Sequence, residues 1–251
     1  MDLHITPKGK RVRMEHELKH GDEPSQARLP LSWFRQSALP LAPQLLGRTI
    51  VRVTDQGIIR ARIVETESYV APHDKGSHAY NNRRTKRTET MFQKAGHAYV
   101  YLIYGMYHCL NVVAAQEGQA EAVLIRAAAP LTEHDESIMK RYRSLNSNKV
   151  VNLSNGPGKL CRAMHIDKSF DGYDMMDGEE MWLEAGKPVW PSRILCAPRI
   201  NIPYAEEYAD VLWRFYVADD PYVSVKDKQA VSLATHERMI ETFGSEGFSW
   251  T

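Results

Sequence analysis

The sequence predicts a mixed α+β fold in a single domain, and three observations carry that prediction. One pair of alternating runs has the pattern of a β-hairpin, β-rich runs dominate the middle of the chain, and helical patterns flank them with no repeat, low-complexity tract or long linker between. With 251 residues, 43% hydrophobic and 25% charged, the chain can bury a sizeable core, and the composition argues against disorder, collagen and coiled coil. No apolar run approaches the ~18 residues of a membrane helix and Met1-Asp2-Leu3-His4 lacks a signal-peptide stretch, so no membrane partner is expected and the cytoplasm is the expected compartment.

Residues 1–28 carry Lys8, Lys10, Arg11 and Arg13, few apolar anchors and Gly21-Asp22-Glu23-Pro24-Ser25. They read as a flexible basic tail, with the folded domain at 29–251. The apolar pattern begins at Leu29, and residues 32–46 read as helix, broken around Pro40 and Pro43 and closed by Gly47. Residues 49–54 alternate, Asp55-Gln56-Gly57 makes a turn, and residues 58–66 return as the second hairpin strand. Residues 99–103 and 108–115 are β-rich runs around Tyr104-Gly105-Met106-Tyr107, with 122–128 as a partner strand. Helices are predicted at 132–145, from Thr132 as a capping residue, at 157–165 after Asn155-Gly156, and at 232–243; late strands are predicted at 210–217 and 222–225.

Charge is unevenly spread although the formal net charge is only +1. Lys75, Arg83, Arg84, Lys86, Arg87 and Lys94 face Glu89 alone between positions 75 and 94, and a second basic stretch runs from Lys140 to Lys168. A run of six acids without a base follows between Asp171 and Gly186. A basic face of this kind can track phosphates without a high overall pI, though a balanced, solvated surface would give the same counts. Cys109, Cys161 and Cys196 are odd in number and widely spaced, which argues for buried thiols rather than disulfides or a zinc site.

His16-Glu17-Leu18-Lys19-His20 satisfies H-E-x-x-H, the pattern of a zinc hydrolase, but it lies in the weakly apolar tail, Gly21 follows at once, and no third ligand stands at the usual spacing. No metal or organic cofactor is therefore expected. Gly156-Pro157-Gly158-Lys159 lacks the rest of a phosphate loop and reads as a helix start whose amides, with Lys159, can still meet a phosphate.

The chemistry concentrates at the end of the second hairpin strand. Alternation puts Glu65, Glu67 and Tyr69 on one side, so two carboxylates and a phenol converge, an arrangement that suits a base activating water. A strand end facing solvent would look the same. Beyond it come His78 and Tyr80, the Arg83-Arg84-Thr85-Lys86-Arg87 run, and Tyr99, Tyr101, Tyr104 and Tyr107. Interleaved aromatics and cations are what an enzyme needs to extrude a nucleobase, stack it between rings and hold the backbone; a tyrosine-rich sheet core is the competing reading for Tyr99 and Tyr107.

Residues 62–69 (Arg-Ile-Val-Glu-Thr-Glu-Ser-Tyr), His78-Ala79-Tyr80, residues 98–107 (Ala-Tyr-Val-Tyr-Leu-Ile-Tyr-Gly-Met-Tyr) and Cys109-Leu110-Asn111-Val112-Val113 closely resemble the alkyladenine (3-methyladenine) DNA glycosylase family. Val123-Leu124-Ile125-Arg126-Ala127, Gly156-Pro157-Gly158-Lys159-Leu160-Cys161 and Arg214-Phe215-Tyr216-Val217 extend the resemblance in the family's order. The resemblance implies a DNA repair enzyme that flips damaged purines out of double-stranded DNA. Candidate substrates are 3-methyladenine, 7-methylguanine, hypoxanthine and ethenoadenine, hydrolysed by water to leave an abasic site. It implies Glu67 as general base, Arg126 as its partner at the water, Tyr69, His78 and Tyr101 as the purine slot, Asn111 as the group that excludes guanine, and Tyr104 as the side chain that fills the vacated space. Arg83, Arg84, Lys86, Arg87 and Lys159 are the expected backbone contacts, with His78 or a water protonating neutral leaving bases. In the basic loop, bacterial relatives usually read Gly-Arg-x-Thr-Pro-Arg-Asn, and Lys86 replaces the proline here.

The expected fold is thus a single α+β domain, a curved antiparallel β-sheet or open barrel with surrounding helices and a protruding β-hairpin, acting as a monomer. Two alternatives compete: a non-catalytic nucleic-acid-binding module using the same basic and aromatic residues, and a zinc hydrolase built on His16, Glu17 and His20.

Overall fold

The computed structural model describes residues 27–145 and 152–235, so His16, Glu17 and His20 and most of the helix predicted at 232–243 lie outside the described residues. Contacts already begin at Ala27, whose carbonyl accepts from the Ala185 amide, and at Arg28, which bridges to Glu184; both lie inside the segment expected to be tail.

Strands β1 (Thr49–Thr54) and β2 (Gly57–Val70) form the predicted hairpin, with Thr54 opposite Gly57 across a turn of Asp55 and Gln56. β2 continues to Val70, past the predicted end at 66, and organises the sheet. Strand β5 (Glu121–Pro130) pairs along one edge of β2, while β1 and then β8 (Arg214–Val217) share the other edge. Strands β3 (Ala98–Ile103) and β4 (Tyr107–Val113) form a second hairpin beside β5, and β6 (Met181–Glu184), β7 (Ile194–Ala197) and β9 (Val231–Ser232) complete, among the described residues, an antiparallel sheet of nine strands that is not closed into a barrel.

Helices α1 (Leu31–Phe34) and α2 (Ala38–Gln44) replace the single predicted helix, and the break falls at Arg35–Ser37 rather than at the prolines. Ser37 caps α2, so Pro40 occupies the first turn, where no amide donor is required. Pro43 sits inside α2. α2 lies on one face of β2, where Thr66 Oγ1 and Ser68 Oγ donate to the Ala42 and Ala38 carbonyls, both at 2.9 Å. Polar residues on this buried face are thereby satisfied, and Glu65, Glu67 and Tyr69 are turned to the opposite face.

Helix α3 (Glu133–Arg143) begins as predicted at Thr132, which forms a reciprocal capping box with Asp135. Asp135 also accepts from the Arg60 amide at 2.7 Å, fastening α3 to β2. Helix α4 (Pro157–Ala163) follows Gly156. Two expectations for the late chain need correction. Residues 222–225 are not a strand but an irregular segment whose Ser224 turns inward to Glu65, and the strand at 210–217 is reduced to its last four residues. Strands β6, β7 and β9 were not predicted: runs of two to four residues are too short for alternation to register.

Candidate active site

Glu65 and Glu67 both have zero solvent exposure, which rejects the reading of a strand end in water. Buried carboxylates demand donors. Glu65 is saturated: it accepts from Arg126 Nε at 3.0 Å, Arg214 Nη1 at 3.1 Å, and the Ser224 amide and hydroxyl at 2.7 and 2.9 Å. Glu67 lines the cleft instead, and its Oε1 accepts from the Ile200 amide at 2.8 Å and lies 3.2 Å from Arg126 Nη1. Among the described residues its Oε2 accepts one bond, from the Tyr69 hydroxyl at 2.8 Å. A carboxylate offers about four lone-pair sites, so one acceptor position on Oε2 remains for a further donor.

Arg126 reaches both glutamates because the ladder is locally out of step. Val64 on β2 and Arg126 on β5 are each an extra residue between the pairs Ile63–Ala128, Glu65–Ala127 and Thr66–Ile125. Such bulges re-aim side chains next to active sites. Burial opposes the Arg126 charge, but Glu67 and Glu65 outweigh it and hold its pKa above the ordinary value. Burial, then the Glu67 charge, pushes the Tyr69 phenol well above its ordinary pKa, so it stays a donor to Glu67 across the working pH range.

The other wall of the cleft is aromatic. His78 meets Tyr101 edge-on at 4.7 Å, and Tyr101 lies 5.2 Å from Tyr99. His78 Nδ1 is 3.0 Å from the Tyr99 hydroxyl, and Nε2 is 3.2 Å from Arg87 Nη2. Arginine only donates, so Nε2 must accept and Nδ1 carries the proton, given to Tyr99. Burial, and secondarily Arg87, lowers the His78 pKa to about 4. A neutral imidazole with its one proton engaged is a poor acid, which counts against His78 as the proton source for a leaving base. Asn111, 3% exposed, donates Nδ2 to the Tyr99 carbonyl at 3.0 Å. The enclosed space is about 430 Å³, within the range of small-ligand sites.

Tyr104 stands at the cleft mouth on the tip of the β3–β4 hairpin, 72% exposed and with φ +53°. The Met106 amide donates to the Ile103 carbonyl across Tyr104 and Gly105, both at positive φ, which is a type I′ turn. Glycine or asparagine is the residue this position favours; a tyrosine there costs of order 1–3 kcal/mol without burying its ring. The base of the hairpin rests on Gly158, where a β-carbon would come within 2.9 Å of Tyr107.

A family model for methylpurine-DNA glycosylase matches residues 32–221. The chain belongs to the methylpurine-DNA glycosylase family. Among curated relatives, a protein of Natranaerobius thermophilus is 45% identical over 198 residues, covering 79% of this chain and 99% of the relative. One from Alkaliphilus oremlandii is 44% identical (79% and 100%) and one from Clostridium beijerinckii 46% (77% and 97%); all three bear the name "Putative 3-methyladenine DNA glycosylase". The chain is accordingly a DNA glycosylase of the 3-methyladenine type, a DNA repair enzyme whose substrate is DNA.

In this glycosylase Glu67, Arg126, Tyr69, His78, Tyr101, Asn111, Tyr104 and Lys159 line one cleft, so eight of the residues singled out in the sequence come together. The basic loop does not line it. Arg84 is paired with Glu89 at 2.6 and 2.8 Å, Arg87 turns onto His78 and Tyr101, and Arg83 and Lys86 are exposed without an ion pair among the described residues. Lys159 is held by Asn155 at 2.9 Å. Tyr99 and Tyr107 divide between the two readings: Tyr99 is 1% exposed in a core cluster, Tyr107 39% exposed. The three cysteines are buried free thiols, as expected.

Sequence reasoning missed Asp74 and Arg199. Neither side chain has any exposure, and they form a two-pronged pair at 2.6 and 2.7 Å. The guanidinium covers the Tyr69 ring at 4.7 Å and binds the Ser68 carbonyl at 2.9 Å, while the next residue, Ile200, supplies the amide on Glu67. Nothing local in the sequence marks a pair separated by this much chain. Arg214, to which the sequence pattern assigns no role, closes the rear of the site on Glu65.

Proposed function

We propose that this glycosylase flips damaged purines out of duplex DNA and hydrolyses the N-glycosidic bond with water, Glu67 acting as general base, to leave an abasic site in an unbroken strand. The observation that carries the reading is the one open acceptor position on a fully buried Glu67 whose other contacts are all donors. A water donating to that position gives up its proton as it attacks the anomeric carbon, and the carboxylate charge stabilises the oxocarbenium-like sugar. Arg126 fixes the carboxylate, and Tyr69, His78 and Tyr101 receive the base. Asn111, tied to the sheet backbone, is a rigid wall against the extra amino group of guanine. The enzyme acts as a monomer, with the working domain starting at Ala27, where pairing with the sheet is seen, and the segment before it as an auxiliary arm.

Because His78 is neutral and already bonded, cationic bases such as 3-methyladenine and 7-methylguanine are the favoured leaving groups. Hypoxanthine and ethenoadenine depend on a proton from water. The test is release of free base from duplexes carrying one lesion each, against undamaged duplex. Alkylated bases are expected to leave fastest, with strand breaks only after alkali. Cleavage without alkali, or trapping of a protein–DNA adduct by borohydride, would show an amine nucleophile and overturn the mechanism.

Tyr104 is read as the wedge, since its unfavourable backbone and exposed ring serve no packing purpose. Tyr104→Asn suits the turn, so thermal stability is expected to hold or rise, while affinity for a lesion duplex falls roughly 5- to 150-fold, the equivalent of one stacked base at ~1–3 kcal/mol. Unchanged affinity in a gel-shift titration would reduce the ring to decoration.

A further inference from the structure

We propose that Arg87 is a displaceable plug of the purine slot that exchanges between the slot and a DNA phosphate, so that docking on DNA opens the slot to a base. This rests on the reading of the cleft given above. The guanidinium lies 5.1 Å from the centre of the Tyr101 ring, over its face, and 3.2 Å from His78 Nε2. Arg87 does not line the open part of the cleft; it covers parts of two residues that do, His78 and Tyr101, and a base filling the slot has to use both. A planar cation on an aromatic face belongs to the same class of contact as a stacked base, so the two compete for Tyr101.

The contrast with Arg84 explains why Arg87 can leave. Arg84 is bound two-pronged to Glu89 in a charge-assisted pair. Arg87, exposed and in the same loop, faces no carboxylate among the described residues; its hydrogen-bond partners are neutral, the His78 imidazole nitrogen and the Tyr99 hydroxyl. A backbone phosphate offers a charged, two-pronged acceptor and wins that exchange. The hydrogen bond also fixes which His78 nitrogen is protonated, so Arg87 positions the histidine edge until it departs.

Free bases separate this role from plain phosphate binding, because they carry no phosphate. Binding of free hypoxanthine and free 3-methyladenine to the full chain is measured by calorimetry or tyrosine fluorescence, for the parent, Arg87→Ala and Arg87→Lys. Removal of the plug is expected to tighten free-base binding about two- to fivefold, the size of an exposed cation–π contact, in both variants. The salt dependence of binding to a lesion duplex should lose about one unit of slope in Arg87→Ala and none in Arg87→Lys. The nitrogen shifts of His78 should move from one protonated form to a mixture in Arg87→Ala. Free-base affinity that is unchanged or weaker in Arg87→Ala overturns the plug, and an unchanged salt slope overturns the exchange with phosphate. Failure of the parent to release base from any lesion duplex would instead count against the proposed function, whatever the Arg87 variants do.

Discussion

Glu67→Gln is expected to slow base release by roughly 10²- to 10⁴-fold, the usual contribution of a positioned base, while binding to a lesion duplex stays near the parent level. The substitution keeps the shape of the side chain. Its remaining oxygen can accept from the Ile200 amide and Arg126, and its new NH₂ can donate to the Tyr69 hydroxyl, which rotates from donor to acceptor. What disappears is the acceptor position that takes the proton of the attacking water. Release and binding therefore separate, and single-turnover release with enzyme in excess, beside a gel-shift titration, measures them independently. A variant that releases base at the parental rate would remove Glu67 from the chemistry and take the hydrolytic mechanism with it.

The split between what was and was not legible in the sequence follows the range of the interactions. The first hairpin, the β3–β4 hairpin and the start of α3 are governed by neighbours within a few residues, by alternation, turn chemistry and the Thr132 cap, and they stand where the pattern put them. Glu65 and Glu67 share a face for the same local reason, but their separate duties could not be read there. Which one is exhausted and which retains an open position is decided by Arg214, Ser224 and Ile200, at least 133 residues away along the chain. The inward turn of Arg87 was hidden for a related reason: a basic run on a loop suggests phosphate contacts, and the partner that diverts one of its members, the Tyr101 face, comes from a strand. The strand predicted at 222–225 is lost to a distant partner: these residues are β-prone, yet the Ser224 amide and hydroxyl are spent on Glu65 instead of a ladder. Tertiary demand overrides propensity where the site needs a donor.

That dependence on distant donors gives the second large effect. Asp74→Ala removes one half of a pair with no solvent exposure on either side and leaves Arg199 charged in the interior, which is expected to cost about 3–5 kcal/mol of stability and roughly 6–20 °C in melting temperature. Loss of stability alone would not assign a catalytic contribution to the pair. The combined replacement Asp74→Leu with Arg199→Met tests for one, because exchanging both charges for apolar groups of similar bulk commonly restores stability. It cannot restore the cation over Tyr69 or the tether that holds Ile200 against Glu67. The double variant is therefore expected to melt near the parent temperature yet release base on the order of 10²-fold more slowly, since a displacement of about 1 Å in a catalytic group is enough for a loss of that size. If melting temperature and single-turnover rate recovered together, Asp74 and Arg199 would be a structural staple, and Arg126, Tyr69 and the Ile200 amide would align Glu67 without them.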